Sequence, residues 1–150
     1  MPRAPFQILV LPFMLREGSP LFALFRRIAS TGGYWQGIAG GGEDDESPLE
    51  AAMREANEET GISIDSSYTA LQSRAMIPVE GVCGFLWGPD TWVIPEHPFA
   101  VQMNDAAFSL SGEHCEYGWF AIDEAMRIAK WESNRTALWE LEYRIRTGRL

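Results

Sequence analysis

Three glutamates, Glu55, Glu58 and Glu59, fall within one turn of a predicted helix, and Arg54 precedes them. Like charges at these spacings destabilise an isolated helix by a few tenths of a kcal/mol per pair. The C-terminal half of a helix also disfavours negative charge, so propensity does not explain the cluster. Two readings remain. One is a solvated acidic face; the other is a site for a hard divalent cation such as Mg²⁺, which takes carboxylate oxygens, waters and substrate phosphates as ligands. Glu55 and Glu59, spaced i and i+4, could clamp such an ion.

The surrounding stretch, GGGEDDESPLEAAMREANEETGI over 40–62, supplies the helix that would present them. Ser47 followed by Pro48, with Glu50 three residues beyond the serine, combines a capping box with proline at the first helical position. Gly61 marks the stop. At 100° per residue Leu49, Ala52, Met53 and Ala56 share one face, and the glutamates lie on the adjacent one. Before the helix, Gly40 to Gly42 reads as a glycine loop, in which Gly41 and Gly42 permit a turn.

The fixed positions Gly40, Glu46, Arg54, Glu55, Ala56, Glu58, Glu59, Gly61 and Ile62 resemble, spacing for spacing, the signature box of the Nudix hydrolases. Ala56 stands where that family usually carries a larger aliphatic residue. The resemblance implies an α/β/α sandwich of the α+β type, with a mixed central sheet and the box helix packed against it. It also implies Mg²⁺, with Mn²⁺ as a substitute, bound by the Gly40 carbonyl, Glu55, Glu58 and Glu59. Such an ion neutralises a polyphosphate and lowers the pKa of water. Glu58 binds a second ion or orients water in this reading, and Arg54 suits paired hydrogen bonds to a carboxylate such as Glu46 or Glu58.

Composition sets the outer bounds. A chain of 150 residues with 46% hydrophobic content suits one domain with a single core. Twelve basic against 21 acidic residues give a net charge of −9, which argues against a nucleic-acid polymer or an anionic membrane as partner. An acidic protein can still take a polyphosphate through bridging metal ions. Cys83 and Cys115 lack metal-type spacing and read as buried free thiols. No basic segment followed by an apolar run and a cleavage site opens the chain, and no apolar stretch reaches membrane length, so the expected location is cytoplasmic.

The remaining segments must position the box. Phe6 to Leu15 (FQILVLPFML) reads as a strand buried on both faces, with Pro12 bending or ending its pairing. Arg16 to Pro20 is a turn and Leu21 to Phe25 the returning strand, closed by Arg26 and Arg27, which could meet phosphates or simply be solvated. Tyr34, Trp35 and Gln36 precede the glycines; aromatic rings there could stack on a base-like ring or pack in the core. Strands are expected within 62–77 and 79–87, and another from Phe99 to Met103 after the breaker Pro98. His97 reads as a pocket-edge residue, and 104–112 as a loop.

Gly112 to Phe120 (GEHCEYGWF) leads to a short helix from Asp123 to Lys130, with Asp123 as its cap. A last helix, Asn134 to Arg146, places Leu138, Leu141 and Ile145 on one face, with Gly148 as the stop. By the family resemblance Glu113 is a further metal ligand or base, with Glu116 as its rival. The stretches YWQ, GEHCEYGWF and WESNRTAL, the last containing Asn134, are similar to the dihydroneopterin triphosphate and dATP pyrophosphohydrolase branch. That similarity implies a small nucleotide-type diphosphate substrate, met by Arg27, Tyr34, Trp35, Gln36 and Asn134. The implied reaction cleaves a nucleoside or pterin triphosphate to monophosphate and pyrophosphate. ADP-ribose, nucleotide sugars and dinucleoside polyphosphates are the alternative substrates, and a non-catalytic nucleotide sensor or an acidic interaction domain the alternative classes.

Overall fold

The computed structural model describes residues 2–150. Its strands are β1 (Arg3–Arg16), β2 (Ser19–Arg27), β3 (Trp35–Gln36), β4 (Ile38–Glu43), β5 (Tyr68–Ala70), β6 (Ala75–Pro78), β7 (Val93–Gln102) and β8 (His114–Phe120). Its helices are α1 (Pro48–Thr60), α2 (Ile122–Ile128) and α3 (Glu132–Arg146). All eight strands join one mixed sheet, in which β1 and β7 run parallel and the other pairs antiparallel.

The two-residue period of the apolar runs divides the core between the faces of this sheet. Leu9, Leu11 and Phe13 of β1 join Phe22 and Leu24 of β2 on one face, beneath Ala137, Leu138 and Leu141 of α3. Ile8 and Val10 join Ala23 and Phe25 on the other, against Ala51, Ala52 and Ala56 of α1. Both faces are therefore covered, which is why the first strand reads as continuously apolar. The result is the expected α/β/α sandwich.

Pro12 does not end β1. The strand stays paired with β7 through Pro12↔Val101, but on its other edge it changes partner, from β4 over Gln7–Val10 to β2 over Phe13–Arg16. A residue without an N–H fits where neither antiparallel ladder requires one. In the same sheet Gly41 of β4, Gln7 of β1, Glu96 of β7 and Ala75 of β6 form one row of successive register partners.

Several expected elements differ. Gly40 to Gly42 are strand residues of β4, not a turn. They are small because a Cβ at Gly40 would collide with the Glu55 carboxyl, one at Gly41 with the Arg3 guanidinium and one at Gly42 with the Phe6 ring. In α1 the buried face is Ala51, Ala52 and Ala56, while Leu49 is exposed. Strand β7 begins at Val93 and runs through Pro98, whereas 79–87 holds a 3₁₀ turn and no strand. Helix α2 is capped at Ala121, leaving Asp123 inside its first turn, and α3 starts two residues earlier than expected. The two cysteines are free but exposed rather than buried.

Candidate active site

The α1 start is built as its residues dictate. The Ser47 hydroxyl accepts from the Glu50 amide at 3.2 Å, and the Glu50 carboxylate accepts from the Ser47 amide at 2.9 Å. Such a cap is worth about 1 kcal/mol. Gly61 closes the helix in the left-handed region, at φ 78°.

The helix lies against β4, so Arg54 and the glutamates meet the glycine strand. Arg54 donates from Nε to Glu46 Oε2 at 2.8 Å and from Nη2 to Glu46 Oε1 at 3.0 Å. It also donates to the Gly41 carbonyl at 3.0 Å, to Glu55 Oε1 at 3.0 Å and, more loosely, to Glu58 Oε2 at 3.3 Å. These bonds raise the guanidinium's pKa, with Glu46 contributing most, and the arginine in turn holds the Glu46 carboxyl below the ordinary range. Glu43 adds a looser ion pair at 4.0 Å. Arg54 therefore positions carboxylates, fixing the β4 edge and Glu55 at once.

Glu59 sits deepest. Its side chain is buried, and Oε2 has no hydrogen-bond partner. Burial chiefly, then the neighbouring carboxylates Glu113 and Glu55, push its pKa up to about 10. Burial also raises Glu55, against the pull of Arg54. A buried carboxylate among carboxylates, without a donor, is costly unless a cation or a proton joins them. Glu59, Glu113 and His114 each offer one ligand atom, all within 4.8 Å of one another. Both ring nitrogens of His114 are buried and unpartnered, and burial, then the nearby Arg27, lower its pKa. These residues fit a divalent cation.

The structure separates the two late carboxylates. Glu113 reaches Glu59, whereas Glu116 faces Arg26 across the β2–β8 ladder and pairs with it at 2.6 Å. Sequence reasoning misses His114, for which the adjacent Glu113 is the only local signal. Its neighbourhood follows from the fold, because the register sets it opposite Arg27 and its ring lies 5.8 Å from Phe25.

By the start of α3 lies a cleft of about 610 Å³ whose lining includes Arg27, Tyr34, Gln36, Trp131, Glu96 and Gly40, the last packed against the Glu55 carboxyl. Trp35 is not brought to it. Its indole packs on the α3-side core, edge-to-face with Phe120 at 5.4 Å. Asn134 lines the cleft, but its buried amide is spent on the fold. Its Oδ1 accepts from the Gly37 amide at 2.8 Å and its Nδ2 donates to Ser133 Oγ at 3.3 Å. Trp131, which the sequence alone does not single out, donates from Nε1 to Gln36 Oε1 at 3.0 Å and meets Tyr34 edge-to-face at 5.3 Å. No helix among the described residues is long and apolar enough to cross a membrane.

Comparison with known proteins agrees with this geometry. The chain is 27% identical over 116 residues to a dihydroneopterin triphosphate diphosphatase of Haemophilus influenzae, covering 75% of this chain and 73% of that one. It is 34% identical over 124 residues to an RNA pyrophosphohydrolase of Erythrobacter litoralis, covering 75% and 74%. A crystal structure of a NUDIX hydrolase from Listeria monocytogenes superposes with a TM-score of 0.87 at 35% identity, over 97% of each chain. The family profile of the NUDIX domain matches residues 6–140. With that match spanning most of its length, the chain belongs to the NUDIX family and is a hydrolase acting on diphosphate bonds.

Proposed function

We propose that the chain is a Mg²⁺-dependent pyrophosphohydrolase of small triphosphates, with Mn²⁺ as a working substitute, releasing pyrophosphate and leaving a nucleoside or pterin monophosphate. The observation that carries this reading is the unpartnered Glu59 Oε2, buried beside Glu55, Glu113 and His114, together with Gly40, which packs against the Glu55 carboxyl and lines a cleft large enough for a heterocyclic ring. Cleft dimensions of a few hundred Å³ suit a small-molecule ligand. The diphosphatase and pyrophosphohydrolase names of the two relatives fit the same class.

In this reading Glu55 and Glu59, with the Gly40 carbonyl, hold the metal, and Glu113 either adds a ligand or takes the proton from the attacking water. Divalent metal supplies charge neutralisation and a more acidic water when bound. Glu58, with a side chain 58% exposed and a 3.3 Å contact to Arg54, stands where a second cation or a water can be reached from solvent. Arg54 orients Glu55 and Glu46. Arg27, whose side chain among the described residues donates only to Thr31, through Nε at 3.2 Å, has its Nη groups available for phosphate. Tyr34 and Gln36 flank the ring. A cytoplasmic location suits the charge and the substrate class.

The test is a panel of nucleoside triphosphates, neopterin triphosphate and diphosphate conjugates with Mg²⁺, scored for pyrophosphate against orthophosphate. Pyrophosphate from triphosphates is the expected product; orthophosphate alone would sink the reading.

A further inference from the structure

Two amides that line the cleft are engaged within the fold. The Gln36 carbonyl takes the Trp131 indole N–H, and both ends of the Asn134 amide are used. Glu96 is different. It sits on β7 with 8% of its surface exposed and lines the cleft, with the Ser133 side chain near its carboxylate. No cation among the described residues is paired with it. Arg74 lines a second cavity together with Glu96 and spends Nη1 on the carbonyls of Leu71 and Ser73. Arg3, on the next strand and lining the same cleft, donates from Nη2 to Gln7 Oε1 at 2.8 Å and leaves its Nε without a partner among the described residues. A buried carboxylate with unused acceptor capacity is expensive unless a ligand supplies donors. Burial pushes the Glu96 pKa up and Ser133 opposes that; further N–H donors act in the same sense as the serine.

From this we infer that Glu96 reads the edge of the substrate's ring, selecting heterocycles that present two adjacent N–H donors, the 2-amino-oxo-pyrimidine edge shared by guanine and pterins. A carboxylate accepts two parallel N–H bonds from such an edge. Adenine presents one donor and one acceptor there, so its ring nitrogen would face a carboxylate oxygen lone pair to lone pair. Hypoxanthine keeps the ring N–H but lacks the amino group. The half-exposed Trp131 and the Tyr34 ring set against it supply apolar walls for a planar system. Arg27 and Gly40 line the same cleft as Glu96, and the Glu55 carboxyl packs against Gly40, so a ring on Glu96 and phosphates at the metal site can belong to one substrate. The assignment rests on the triphosphate reading for its phosphates, but not for its ring.

The test separates the two. Binding of GMP, IMP, AMP and neopterin, none of which carries a diphosphate bond, is measured by quenching of tryptophan fluorescence and by calorimetry. Wild-type protein and Glu96→Gln are compared. Wild type is expected to bind GMP at least about tenfold tighter than IMP or AMP, since one good bidentate pair discriminates by roughly that much, and to bind neopterin. Glu96→Gln places an amide donor beside the carbonyl acceptor, which matches adenine, so the GMP to AMP ratio should invert. Glu96→Ala should lose GMP without gaining AMP, and circular dichroism checks that each variant is folded. A wild-type preference for AMP, a ratio in Glu96→Gln within about twofold of wild type, or no binding of any of the four ligands would overturn the assignment. Turnover of the triphosphates is read separately: tight GMP binding with no pyrophosphate release would count against the proposed reaction and leave the ring assignment standing.

Discussion

Arg54 and Glu46 face each other in a two-point contact, Nε to Oε2 at 2.8 Å and Nη2 to Oε1 at 3.0 Å, that ties the helix of the glutamates to the end of the glycine strand. A lysine keeps the charge but cannot make both bonds. Arg54→Lys should therefore fold normally and lower either kcat or metal affinity by about 10- to 100-fold, the usual cost of disturbing the groups that orient metal ligands. Steady-state rates across a Mg²⁺ titration check this, and a rate within twofold of wild type would contradict it.

Glu59→Gln should abolish most turnover, by at least about 100-fold, because loss of a catalytic metal contact costs several kcal/mol of transition-state stabilisation. Mn²⁺ binding, followed directly by paramagnetic relaxation of water, should weaken in parallel.

Proton linkage gives a third expectation. In the metal-free fold Glu59 holds its proton up to about pH 10, far above its ordinary value of 4.5. The folded state thus binds a proton that the unfolded chain releases, and stability falls as pH rises between those values. Glu46 acts oppositely: Arg54 lowers its pKa, so its contribution is lost only as pH falls through the acid range. Thermal melts in chelator from pH 6 to 9 should show a declining Tm. Saturating Mg²⁺ should flatten the decline, and Glu59→Gln should reduce it without metal.

Gly40→Ala and Gly41→Ala form a matched pair. The first drives a methyl into the Glu55 carboxyl and the second into the Arg3 guanidinium. Only the first should raise the Mg²⁺ concentration needed for half-maximal rate, by about tenfold on the scale of a disturbed metal ligand.

Asn134→Ala removes the acceptor for the buried Gly37 amide. Urea unfolding should show a loss of about 1–3 kcal/mol, the usual penalty for a stranded buried donor. A change in substrate KM at unchanged stability would instead assign Asn134 to substrate binding.

Local signals make the box helix readable in the sequence alone. Ser47, Pro48, Glu50 and Gly61 act on their near neighbours, so their meaning is carried within a dozen residues. The double-sided burial of β1 is equally visible in its composition. What cannot be read depends on distant partners. Gly40 to Gly42 look like a turn until Glu55, Arg3 and Phe6 are seen beside them. Pro98 looks like a breaker until β1 is paired alongside. Glu113 and Glu116 are three residues apart in the chain, and only the β2–β8 register sends one to the metal cluster and the other to Arg26. His114, Trp131 and Glu96 carry no local mark of the surroundings the fold gives them.

The row Gly41, Gln7, Glu96 has a consequence for how substrate length is judged. Two interstrand steps of about 4.8 Å each separate the Gly41 backbone from that of Glu96, so hydrogen-bonded strands, and no loop, act as the calliper between the phosphate end and the ring end. Insertions at 79–92, whose Gly81 and Val82 line the cleft, can reshape the rim without resetting that gauge. A one-residue slip of β7 against β1 would turn Glu96 to the opposite face, leaving the catalytic cluster intact and blind to the ring it serves.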